Sequence, residues 1–177
     1  MICKQLVLIL LLALQLHAFG QKNCDCRIDS SRVLSDKNLD VFLAGLNLEP
    51  FQTFKDKKEI PAAIMQQLRC LSYDSFSLGN PGEDYRCCCT SSWKLPSRQL
   101  IFLSKSEHYF VMAYKMGGIA TWVNVLMLKL ENDRIVDLWS GLGNYELKSA
   151  GDVYELYRLY KKRKKGELHA VFDVVVI

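Results

Sequence analysis

The chain has 177 residues, half of them hydrophobic, with 23 Lys and Arg against 19 Asp and Glu, seven Cys and three His. A length near the single-domain mode, with ordinary apolar and charged fractions, excludes a multi-domain machine, a disordered tail protein, a collagen-like repeat and a coiled coil. One globular domain is expected.

The first twenty residues read as an export signal. Lys4 supplies the positive start, Leu6 to Leu14 is an unbroken apolar stretch, and Ala18 and Gly20 put small residues on the inner side of a cut before Gln21. As an anchor the stretch is too short, because a span needs roughly 20 apolar residues, and Gln15 and His17 interrupt it. The later apolar run from Val123 to Leu130 contains Asn124 and Lys129 and reads as a strand with two faces, so no transmembrane segment is expected after cleavage. Cys24 follows Gln21, Lys22 and Asn23, which are not the small apolar residues of a lipidation site. The expected product is residues 21–177, either secreted or held in a periplasm or cell envelope.

Cleavage leaves 22 basic against 19 acidic residues, two His and six Cys. An even cysteine count in an exported chain predicts a disulfide framework. Cys24 and Cys26 are one residue apart, Cys70 stands alone, and Cys87, Cys88 and Cys89 are consecutive. Adjacent cysteines rarely bridge each other, and in extended backbone Cys87 and Cys89 point away from Cys88. The preferred pairing therefore joins Cys24 and Cys26 to Cys87 and Cys89 and leaves Cys70 for Cys88, with the other pairings open. Zinc sites favour two to four residues between cysteine ligands, a spacing neither cluster has, so no metal or cofactor is expected.

Helices come first. Ser35 or Asp36 is placed to cap a helix whose Leu39, Phe42, Leu43 and Leu46 form one stripe. After a charged connector, Lys55 to Glu59, Pro61 fits a first helical turn, and Ile60, Ile64, Leu68 and Leu71 share a face. Asn80, Pro81 and Gly82 then signal a turn.

Strands follow over 99–103, 108–115, 119–130 and 135–139, joined by short turn-forming segments that predict antiparallel hairpins in a meander. Both alternation classes carry apolar residues. The sheet is expected to be covered on one side by the two N-terminal helices and partly covered on the other. The segment from Ser140 to Gly143 reads as a strand-to-helix loop. Helices, strands, then a helix is the order of an α+β domain, and by element order alone it resembles a cystatin-like or nuclear-transport-factor-like roll.

A last helix is expected from Asp152 with Glu155 as a capping box, its stripe being Val153, Leu156, Tyr157 and Tyr160. It ends in Lys161, Lys162, Arg163, Lys164 and Lys165 before Gly166, and residues 168–177 read as a final strand. Cations oppose the negative end of a helix dipole, yet five in a row also suit anionic lipid headgroups, acidic glycans or nucleic acid, although no specific nucleic-acid motif is present.

Catalytic patterns are thin. His108 and His169 are the weak candidates for an acid and base pair, and no nucleophile elbow or His-Glu-x-x-His helix is present. Glu131, Asp133 and Asp137 lack the spacing of a calcium loop. Two readings remain: an exported, disulfide-stapled, non-enzymatic binding or structural module, or a small secreted hydrolase acting on an anionic polymer.

Overall fold

Short turns set the topology. In the computed structural model, which describes residues 28, 31, 36–72, 74, 76–87, 92–117 and 120–163, strands β3 (Arg98–Lys105), β4 (Tyr109–Met116), β5 (Trp122–Glu131) and β6 (Arg134–Leu142) form an antiparallel meander. The turn from β5 to β6 is Asn132 and Asp133, both at positive φ (51° and 59°). That two-residue geometry matches the twist of the strands it joins, and Asn and Asp tolerate it best after glycine. The expected signal segment 1–20, Cys24, Cys26, Cys88, Cys89, Lys164, Lys165, His169 and the expected strand over 168–177 lie outside the described residues.

Two short strands complete a six-stranded sheet on the free side of β3. β1 (Gln52–Phe54) pairs antiparallel with Leu103 to Lys105, and β2 (Leu78–Gly79) pairs parallel with Arg98 and Gln99. The register of β3 against β4 shifts between Leu100 and Phe102, a bulge that absorbs Ile101.

Alternation then assigns the faces. Phe110, Met112 and Tyr114 of β4, with Leu126 and Leu128 of β5, point into one core. Tyr109, Val111 and Ala113, with Val123, Val125 and Met127, point into the other. Because neither set is polar, each face needs its own cover. Helix α2 (Ala62–Leu71) lies on the first with Ile64, Leu68 and Leu71 buried, and helices α1 (Leu39–Leu48) and α3 (Ala150–Arg163) lie on the second. The architecture is α+β, as expected, but the two N-terminal helices sit on opposite faces rather than together. A two-sided apolar sheet would otherwise leave one face in water.

Local corrections have equally specific causes. Asn38, not Ser35 or Asp36, stands at the start of α1. Asp36 adopts φ 52° and accepts the indole N–H of buried Trp139 at 2.8 Å, a donor that needs a partner inside a core. The capping box of α3 lies one turn earlier than expected, with Ser149 and Asp152 as its members. The Asp152 carboxylate accepts from the Lys148 amide (2.8 Å) and the Ser149 hydroxyl (3.0 Å). Ser140 to Leu142 are strand rather than loop, since Ser140 pairs with Leu126 and Leu142 with Asn124. His108 lies in the β3–β4 turn, just ahead of β4.

Among the described residues, β6 is the last strand in the sheet order. Gly143 donates to Val123 O, so alternation turns the peptide groups of Leu138, Ser140 and Leu142 to the outer edge. There Asn38 Nδ2 donates to Leu138 O (2.8 Å), the Leu138 amide donates to Asp137 Oδ1 (3.0 Å), and the buried Tyr157 hydroxyl donates to Leu142 O (2.7 Å).

Candidate functional site

Arg98 opens β3 on the α2 face, two residues before buried Leu100, and is itself 1% exposed. A charge so placed requires a counter-ion. Asp74 provides it: Arg98 Nη1 lies 2.8 and 3.0 Å from the two carboxylate oxygens and also donates to Ser97 Oγ at 2.7 Å. The guanidinium stacks 4.4 Å from the centre of the Phe76 ring and 5.7 Å from that of Tyr114. Phe76 adopts φ 40°, an uncommon conformation for an aromatic residue, and this bend sets the Asp74 carboxylate and the Phe76 ring on one guanidinium. Burial alone would raise the Asp74 carboxyl. The Arg98 charge and hydrogen bonds, with those of Ser97 and the Phe76 amide, reverse this and hold it below its ordinary value.

A second arginine approaches the same carboxylate. The Arg86 amide donates to Pro96 O at 2.8 Å, and the chain at Arg86 and Cys87 passes so close to Gly117 that a methyl group there would collide with the Arg86 carbonyl. So fixed, Arg86 Nη2 stops 3.9 Å from Asp74, its guanidinium lies 5.7 Å from the centre of the Trp93 ring, and its buried Nε has no hydrogen-bond partner among the described residues. Trp93 itself is 88% exposed.

Asp74, Phe76, Arg86 and Trp93 wall a cleft of about 890 Å³ that Met65 and Arg69 of α2 and Lys94 to Pro96 also line. Lys57, Lys58, Arg69, Arg86 and Lys94 line it against two carboxylates, Asp74 and Glu83. Both carboxylates are engaged. Asp74 serves Arg98, while Glu83 accepts from the Asn80 amide (2.7 Å) and Lys57 Nζ (2.9 Å) across a turn in which Gly82 takes φ 83°. Those bonds hold Glu83 below its ordinary value. A smaller cavity of about 310 Å³ adjoins, with Asp74 and Arg86 bordering both.

The residues singled out by sequence lie elsewhere. His108 is at the opposite end of the β3–β4 hairpin from Arg98. Its Nδ1 is 3.1 Å from Glu49 and its Nε2 4.0 Å from Glu107. Burial would raise Glu49, but hydrogen bonds from Ser106 and His108 outweigh it and keep the carboxyl below its usual range. Of the basic run, Lys161 pairs with Asp40 of α1, Lys162 is exposed, and Arg163 closes α3. Cys70 in α2 and Cys87 beside Arg86 are half-buried, and no disulfide joins these two. Among the described residues, no three His, Cys, Asp or Glu side chains are grouped to hold a metal ion, and no helix is long and apolar enough to cross a membrane.

Sequence reasoning missed Asp74, Arg86, Trp93 and Arg98. One signal was available: Arg98 shares the parity of Leu100, so a strand begun one residue earlier than Gln99 places a charge on an apolar face. No protein-family model, curated protein or solved structure matches the chain.

Proposed function

We propose that the protein is an exported, disulfide-stapled binding module that holds an organic anion in the cleft beside α2. The observation that carries this reading is the charge of the cleft lining, five cations against two carboxylates that already have partners. Such a recess attracts anions because low-dielectric walls focus the field of its charges. Its described lining offers charge and aromatic surface rather than a nucleophile with a base, which favours binding over catalysis. Lys161 and Lys162 near the end of α3 are a second, exposed cationic feature, suited to an anionic surface or polymer, and form a separate candidate.

The test is calorimetric titration of the mature protein with octanoate, with octan-1-ol as the uncharged control. Saturable octanoate binding that weakens with salt and is lost when Arg86 and Lys94 are both replaced by Gln supports the cleft. Equal binding of octanol, or binding indifferent to the double substitution, removes it. Intact mass of the protein from the exported fraction checks the rest, with a chain beginning at Gln21 and six oxidised cysteines expected.

A further inference from the structure

We propose that Arg86 is a seat for one negative charge, so that the cleft selects singly charged oxyanions carrying an apolar body over doubly charged phosphate monoesters. The inference rests on the reading of the cleft as an anion site and adds a charge rule to it.

The local balance carries the argument. Arg98 holds both oxygens of Asp74 at 2.8 and 3.0 Å, and the Phe76 amide (3.3 Å) and Ser72 hydroxyl (3.2 Å) also donate to that carboxylate. Arg86 Nη2, at 3.9 Å, is beyond hydrogen-bond distance of it. Two arginines and one aspartate leave one positive charge, and it resides on Arg86, whose side chain is 28% exposed and lines the cleft. The two Nη groups at the end of a guanidinium form a fork that a carboxylate or sulfate accepts from. One such anion brings the group to neutrality. A second charge on the same head would lie against ionised Asp74, and like charges at short range oppose one another. Lys58, Arg69 and Lys94 line the same cleft but are exposed, where salt screens their attraction. The body of the ligand has Met65, Leu78, Leu95 and the Trp93 ring to lie on.

The experiment uses one tail and several heads at about pH 8, where a phosphate monoester has passed its second ionisation near 6. Octanoate, octyl sulfate and methyl octyl phosphate carry one charge, octyl phosphate carries two, and octan-1-ol carries none. Binding to the mature protein is followed by calorimetry and by Trp fluorescence. The three monoanions should bind within about threefold of each other and at least tenfold more tightly than octyl phosphate or octanol. Arg86→Gln should bring the monoanions to the octanol level, while Lys94→Gln should cost under about threefold. Arg86→Lys retains the charge without the fork and should fall between, which keeps the test open if Arg86→Gln does not fold. Octyl phosphate binding more tightly than octanoate overturns the charge rule. Monoanion binding that survives both Arg86 substitutions at wild-type strength overturns the seat and leaves the cleft standing. No binding by any of the five removes the cleft together with the seat.

Discussion

Under α1 and α3 the sheet presents Phe102, Val111, Val125, Met127 and Trp139, and the polar tips of Trp139 and Tyr157 each find an acceptor. Under α2 the same strands present Leu100, Met112 and Leu126, but also Arg98, Asn124 and Ser140, all buried. The Asn124 amide oxygen and nitrogen and the Ser140 hydroxyl have no hydrogen-bond partner among the described residues. The cationic cleft opens on this second face. One side of a single sheet is packed for stability, while the other gives up packing to hold charge, and four strands serve both because successive residues face opposite ways.

The largest effect should come from the packed side. Trp139 is fully buried, edge-on to Tyr157 at 4.7 Å, and its removal also takes away the indole N–H that Asp36 accepts. Trp139→Ala should cost about 3–5 kcal/mol in urea unfolding. A loss below about 1 kcal/mol would mean that this face is not the stabilising one. On the other side, Asp74→Ala leaves Arg98 buried without its counter-ion. Since Asp74 is a third exposed, the cost should be on the order of 3 kcal/mol, at the low end for such pairs. Adding Arg98→Met should recover most of it, because the charge and not the contact is then the source of the loss. Failure of the double variant to recover would place the effect in backbone geometry around Phe76.

Asn124→Leu tests the same contrast with the opposite sign. Replacing an unpartnered buried amide with a hydrocarbon of similar shape should raise stability by about 1 kcal/mol. A loss of that size would show that Asn124 is satisfied in solution. Acid gives the smallest effect. Asp74 and Glu49 are held below their ordinary values when folded, so the unfolded chain takes up these protons first as pH falls. Their contribution is complete above about pH 4.5 and is lost as pH drops through the lower folded values. Melting followed from about pH 6 to 3 should show a falling midpoint, with a shallower slope in Asp74→Asn. An unchanged slope would mean that Asp74 does not carry the shift.

The sequence was most informative where spacing alone carries the meaning. The stripes of α1 and α2, the meander and the Asn80–Gly82 turn are local patterns, and each recurs in the fold. Strands β1 and β2 span three and two residues, too few for alternation to register. The placement of α1 and α2 on opposite faces depends on what the sheet needs covered, and neither helix records that in its own stripe. The Arg98–Asp74 pair joins residues 24 apart through a bend at Phe76, so nothing near either residue announces it. Gly141 and Gly143 suggested a loop, whereas β6 runs on through Leu142 because Asn124 is there to pair with it.

The side chains along the outer rim of β6 bear on what happens when copies of the molecule meet. An open strand edge is a template, and a second chain laid against it can begin a growing stack. Both peptide groups of Leu138 and the carbonyl of Leu142 are already occupied, by Asn38 and Asp137 at the first and by Tyr157 at the second. A newcomer must break three hydrogen bonds, one of them held by a phenol wedged against Trp139, before it gains any. Aggregation by strand addition at this rim therefore starts uphill, and the barrier is set by side chains from α1 and α3 that are also anchored in the apolar core.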